Sequence, residues 1–261
     1  MKKLRLALLG CGKLNGIVAE ALEKGLLSDY ELVGALGRDK KRAADFAKRH
    51  HCKACRSIEE LMEMKPDYTA EAASVRAVRD YSETILKGGS NLVLLSIGAL
   101  ADKKFYEQVK KTAETSGNRV YIASGAVGGF DVLRTASLMS PIKASILSEK
   151  DPEVAARMPL KTEAGPDLED RKTVFSGTAK EAINLLSTQV NVAIAAALAS
   201  AGPENTDMEI QAVPGFKGDQ YQIKLDGEEV KTELNIFSKT SAIAGWSVVA
   251  VLQNAVSPIV F

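Results

Sequence analysis

The sequence predicts an α/β protein in two parts: a doubly wound half built on a parallel sheet, then a mixed α/β (α+β) half whose last helix packs back on the first. Three observations predict it. Short apolar runs alternate with helical patterns through roughly the first 125 residues, as parallel strands with right-handed crossovers require. A glycine turn, Gly10-Cys11-Gly12, joins the first run to the first helix. Past residue 126 the alternation gives way to helices and then to three consecutive strand-like runs.

Residues 4–9 form an apolar run ending at glycine, which reads as a buried parallel strand. Helical spacing over 17–22 stops near Gly25, and 31–36 is the second strand. A charged amphipathic helix over 39–50 carries Ala43, Phe46 and Ala47 on one side. Ser57 and Glu60 form a capping box for a short helix through Met64. Strand 67–72, helix 75–86, strand 91–95, helix 102–115 and strand 119–123 complete the first half. The second half is expected to hold a helix over 127–138 and a strand over 142–147. A charged surface excursion over 149–172 is followed by helices over 180–186 and 190–199. Strands over 208–213, 220–225 and 228–237 and an apolar helix over 240–253 close the chain, with Gly227 turning between the last two strands. The domains are therefore 1–125, with 240–261 returning to it, and 126–239.

Composition excludes several classes. The chain has 261 residues, 46% of them hydrophobic and 26% charged, with a net charge of +1. Such a balance offers a polyanion no bulk attraction, so no nucleic-acid partner is expected. No apolar run reaches bilayer length, so no membrane partner is expected. The start, Met1-Lys2-Lys3-Leu4, reads as the lead into a strand rather than a signal peptide. Three cysteines, an odd number, argue against a disulfide framework and for a reducing, cytoplasmic setting. His50-His51-Cys52-Lys53-Ala54-Cys55 invites a metal reading. A structural zinc site needs four ligands, usually from two pairs, and no second pair exists, so no metal is expected.

The glycine turn carries the first chemistry. Gly10 allows a tight turn, Gly12 lets backbone approach a pyrophosphate, and Lys13 and Leu14 open a helix whose N-terminus attracts anions. This is the Rossmann dinucleotide signature, with Asn15 in the place of its third glycine. The second strand should end on an acid for the adenosine ribose. Gly37 stands there instead, followed by Arg38, Lys40, Lys41 and Arg42. Arg38 could pair with a 2′-phosphate, which favours NADP over NAD. Alternatively these cations are a solvated helix start, and Asp39 serves the ribose.

Five segments then occur in order: Glu71-Ala72-Ala73, Ser96-Ile97-Gly98-Ala99-Leu100, Ser124-Gly125-Ala126-Val127-Gly128-Gly129-Phe130-Asp131, Val190-Asn191-Val192-Ala193 and Lys239-Thr240-Ser241-Ala242. With these segments the chain resembles the L-aspartate dehydrogenase family over nearly its whole length. The resemblance implies a Rossmann domain plus an α/β catalytic domain that interconvert L-aspartate and iminoaspartate, or oxaloacetate and ammonia, with NAD or NADP. It implies nicotinamide contacts at Ala126 and Asn191. Ala73 and Ser96, each just past a parallel strand where such sheets bind ligands, complete the expected cofactor contacts. Asn191 suits a carboxamide, having a donor and an acceptor, and also suits a helix cap. Ser124 can equally be a turn hydroxyl and Glu71 a surface strand end.

One departure stands out. The family carries a catalytic histidine on a strand of the second domain, and the matching position here is Tyr221, with Asp219 two residues before it. The only histidines are His50 and His51. A phenol is a poor base at neutral pH unless a cation lies close. Lys217 and Lys239 are the expected cations, and they would also hold substrate carboxylates. Tyr221 can otherwise be a half-buried sheet residue with a surface hydroxyl. The expected function is thus an NAD(P)-dependent oxidoreductase acting on a small amino or keto acid, aspartate by resemblance, and working as a homodimer. The alternative is a non-catalytic dinucleotide-binding regulatory protein.

Overall fold

A computed structural model describes residues 2–160, 168–186 and 190–261. Contacts divide the chain into two units, Met1–Gly125 with Ala242–Phe261, and Ala126–Ser241.

The first unit holds six parallel strands: β1 (Leu4–Leu9), β2 (Tyr30–Leu36), β3 (Lys53–Cys55), β4 (Tyr68–Glu71), β5 (Asn91–Leu94) and β6 (Val120–Ile122). Their order is β3-β2-β1-β4-β5-β6, so the strand order reverses between β1 and β4. Ligands bind beyond the carboxyl ends of the strands at such a reversal. β1 is an unbroken apolar run because Leu6, Ala7, Leu8 and Leu9 are all buried, with both faces of the sheet covered. The crossovers are α1 (Lys13–Glu23), α2 (Lys40–Arg49), α3 (Ile58–Glu63), α4 (Val75–Lys87) and α5 (Lys103–Ser116), with a 3-10 turn over Ile97–Ala101. Asp39, Ser57, Ser74 and Asp102 cap α2 to α5, each side chain accepting from the backbone three residues on. The expected box at Ser57 is offset: Glu60 reaches back to the amide of Arg56, not of Ser57.

The second unit is built on five strands: β7 (Ile142–Lys150), β8 (Lys172–Thr178), β9 (Thr206–Ala212), β10 (Asp219–Gly227) and β11 (Lys231–Ser238), in the order β11-β10-β7-β9-β8. Only β7 and β9 run parallel. Helices α6 (Phe130–Met139), α7 (Pro152–Ala156), α8 (Ala179–Leu186) and α9 (Asn191–Leu198) accompany them. Helix α6 starts later than the sequence pattern suggests because Gly129, with φ +71, is its left-handed N-cap. The expected excursion over 149–172 is partly structured, since β7 runs on to Lys150 and α7 follows; its stretch 161–167 lies outside the described residues. Strand β8 is an element that the sequence pattern left unnoticed.

The last helix, α10 (Ala242–Val256), belongs to the first unit. It lies close on α1: a Cβ on Gly245 would sit 2.8 Å from Ile17 and 3.0 Å from the Leu14 carbonyl oxygen. The Tyr30 hydroxyl donates to the carbonyl of Leu252 at 2.8 Å, and the Ser247 hydroxyl accepts from the amide of Gly125 at 3.0 Å. Among the described residues no helix is long and apolar enough to cross a membrane.

Candidate active site

The glycine turn is shaped by necessity. Gly10 has φ +108, and a Cβ there would fall 2.6 Å from the carbonyl oxygen of Ala72. No other residue fits that position. Gly12 differs: a Cβ on it would meet nothing within 4 Å, so the turn has open space before it. Gly12 is also the N-cap of α1 and, having no side chain, offers the first amides of that helix no cap. An open cradle at an uncapped helix N-terminus suits a pyrophosphate. Asn15, in the place of the third glycine, is fully buried. Its amide nitrogen donates to the carbonyls of Leu9 and Gly10 at 3.0 and 2.8 Å and reaches Ala70 at 3.4 Å. It thus ties α1 to the ends of β1 and β4 by hydrogen bonds where the usual glycine does so by close contact.

Arg38 is exposed just past β2. Asp39, the other candidate for the ribose, accepts from the amide of Arg42 at 2.9 Å and is already engaged as the cap of α2. Lys13 and Ala73 are exposed, and Ser96 is buried. Gly10, Gly12, Lys13, Leu14, Ala73 and Ser96 therefore gather at the carboxyl ends of β1, β4 and β5 within the first unit. Glu71 is not a surface strand end: it is wholly buried, and its carboxylate accepts from the amides of Ala73, Ser74 and Ser96. Ala126 and Asn191 lie in the second unit. Asn191 is the first residue of α9 and Val190 holds the cap position, so Asn191 is not the cap.

The metal reading of residues 50–55 finds no support in the neighbours of His50. Its Nδ1 lies 2.8 Å from the Glu23 carboxylate and its ring packs on Phe46. Burial pushes the Cys11 thiol up to about 11 and that of the partly buried Cys52 up to about 12, away from the thiolate form that a metal needs.

In the second unit, the antiparallel register of β7 and β10 sets Asp219 opposite Lys150 and Tyr221 opposite Ser148. Tyr221 is buried, and its hydroxyl is not at the surface: the Lys150 ammonium donates to it at 2.8 Å and lies 4.7 Å from the ring centre. The same ammonium pairs with Asp219. Lys150 is only 5% exposed. Burial pulls its pKa down, but the facing Tyr221 and Asp219, with their hydrogen bonds, outweigh that and hold it above the ordinary lysine value. The Ser148 hydroxyl beside this pair is buried and has no partner among the described residues.

The cation at Tyr221 is thus Lys150. Lys217 is 80% exposed and paired with Asp151 at 2.8 Å, and Lys239 is exposed past the end of β11. Sequence reasoning missed Lys150, although a signal was present: β7 alternates, and Ala144, Ile146, Ser148 and Lys150 all fall on its buried face. A lysine in phase with an apolar face needs a partner. The Lys150 ammonium donates to the Tyr221 oxygen, which leaves the phenol O–H to serve as a donor. Tyrosine, lysine and carboxylate here form one hydrogen-bonded cluster with the ammonium charge set at the phenol oxygen.

Comparison with known proteins bears on what this arrangement belongs to. Residues 131–255 match the model described as aspartate dehydrogenase, C-terminal, and residues 10–123 match that described as homoserine dehydrogenase, NAD binding domain. The L-aspartate dehydrogenase of Methanococcus maripaludis is 30% identical over 98% of both chains. The chain belongs to the L-aspartate dehydrogenase family. The enzyme of the same name from Methanosarcina mazei is 31% identical over 98% of both chains. The crystal structure of aspartate dehydrogenase from Thermotoga maritima superposes with a TM-score of 0.76, at 25% identity, over 99% of each chain. The first unit is accordingly a nicotinamide-dinucleotide-binding domain, and its open turn at Gly12 fits that group. Within this family the chain is a member without a histidine in its second unit.

Proposed function

We propose that the protein is an NAD(P)-dependent L-aspartate dehydrogenase in which Tyr221, backed by Lys150, takes the part the family gives to histidine. The observation that carries this reading is the 2.8 Å hydrogen bond from the Lys150 ammonium to the Tyr221 oxygen. With the dinucleotide's pyrophosphate at the Gly10–Gly12 turn, its nicotinamide would supply the hydride acceptor or donor. The protein's own residues handle binding and protons. In the direction of amination the substrate needs a proton, and Tyr221 offers one through its free O–H. The charge left on the phenol oxygen then faces the Lys150 ammonium. Asp219 holds that ammonium from the other side. Lys239, exposed, is the remaining cation for a substrate carboxylate, since Lys217 is engaged by Asp151.

NADP is the preferred cofactor in this reading, with Arg38 pairing with the 2′-phosphate. The engagement of Asp39 as a helix cap supports it, because that leaves Gly37 and Arg38 at the end of β2. Ala126 and Asn191 would contact the nicotinamide. The protein acts as a homodimer in the cytoplasm. Supporting features are Val132, Leu138 and Met139 exposed on α6 with Phe237 on the edge strand β11, and three cysteines that are all free thiols. The test is oxidation of NADPH and NADH with oxaloacetate and ammonia, alongside a panel of other keto acids. The reading expects oxaloacetate to be preferred. Preference for another keto acid would refute the aspartate assignment, and dinucleotide binding without turnover of any would point to a regulatory protein.

A further inference from the structure

The carboxylate of Glu71 is unusual for its position. It ends β4, it is 0% exposed, and its partners among the described residues are neutral groups. One oxygen accepts from the amides of Ala73 and Ser74 at 2.7 and 3.0 Å, and the other accepts from the amide of Ser96 at 2.9 Å. Burial pushes the Glu71 carboxyl up, and these bonds only oppose that rise.

A carboxylate is not needed to start α4, because Ser74 already caps it through the amide of Ala77. What Glu71 adds is a cross-link. It clamps the loop after β4, Ala72 to Ser74, to the turn after β5 that begins at Ser96. The same loop also supports the glycine turn, since the Ala72 carbonyl oxygen is the atom that forbids a side chain on Gly10. The end of β2 receives the adenosine ribose in this strand order, so the ends of β4 and β5, on the other side of β1, receive the nicotinamide half.

We propose that Glu71 is a positioning residue for the nicotinamide half of the dinucleotide, holding the loops after β4 and β5 in one frame against the glycine turn. This rests on the reading of the Gly10–Gly12 turn as the dinucleotide site. Glu71 touches no part of the cofactor itself; it acts through Ala73, Ser96 and Ala72.

The test is calorimetric binding of NADPH and of the fragment 2′-phospho-ADP-ribose, which lacks the nicotinamide half, to the full chain and to Glu71→Ala and Glu71→Gln. Each variant's melting temperature is recorded alongside. Glu71→Ala should weaken NADPH binding about tenfold or more while fragment binding stays within about twofold. Glu71→Gln is isosteric and keeps an acceptor for Ala73 and Ser74, but it sets an N–H donor against the amide of Ser96. It should fold and show the same selective loss in smaller measure. Equal losses for dinucleotide and fragment, or no loss for either, would overturn the proposal by making Glu71 a general structural residue or a neutral one. Failure of the unmodified chain to bind NADPH and the fragment would instead overturn the site reading on which the proposal rests.

Discussion

Replacing Lys150 with methionine removes one ammonium and leaves a side chain of similar length and shape, so packing changes little. Two losses follow. The first is structural: the Asp219 carboxylate and the Tyr221 oxygen lose their common donor. Breaking a fully buried ion pair costs about 3–5 kcal/mol. Asp219 is 32% exposed, so water recovers part of that, and about 1–3 kcal/mol of stability should be lost. The second is catalytic: a preorganised charge at a reacting group is worth about a hundredfold to a thousandfold in kcat. The assays are urea unfolding and steady-state oxidation of NADPH with oxaloacetate and ammonia at neutral pH. Lys150→Met should lower kcat by at least about a hundredfold with KM for NADPH little changed. An unchanged kcat would refute the role given to Lys150, whatever the loss of stability.

The pH dependence of that stability loss has a definite sign. The fold raises the Lys150 pKa above its ordinary value of 10.5. Its contribution is therefore fully present below 10.5 and disappears as pH rises through the higher folded value. The stability gap between the protein and Lys150→Met should be flat near neutrality and should close above pH 10.5.

Two further predictions concern the cofactor. Gly12→Val sets its Cβ in the open space before the turn, so it should cost at least about tenfold in NADPH affinity, or about 1.4 kcal/mol, with the melting temperature little changed; undiminished binding by calorimetry would remove the pyrophosphate from this turn. The unmodified protein should bind NADPH more tightly than NADH, by a margin that shrinks in high salt and disappears in Arg38→Ala; equal affinities from the outset would show that Arg38 reads no 2′-phosphate.

The first unit was legible in the sequence because its signals are local. The run from Leu4 to Leu9, the glycine turn and the cap at Ser57 each lie within a few residues of what they determine. The roles of Asp39 and Glu71 were not legible. Whether Asp39 caps a helix or reads a ribose depends on where its side chain turns, and the burial of Glu71 depends on β5 lying beside β4. Tyr221 could be singled out because the family pattern puts a histidine there. Its partner could not, because Lys150 is 71 residues away and meets it only through the register of β7 on β10. Lys217 and Lys239 flank the same end of β10, but the first is paired with Asp151 and the second is exposed.

The most direct test of the account is the turnover of Tyr221→Phe. The substitution removes one oxygen, keeps the ring in place and leaves the glycine turn untouched. Aspartate oxidation and oxaloacetate amination are measured across a pH range, with NADPH affinity determined on the same samples. The account predicts that turnover is lost while NADPH binding is retained, and that Tyr221→His restores aspartate activity at neutral pH. Robust neutral-pH turnover by Tyr221→Phe would contradict it and place the proton with another residue.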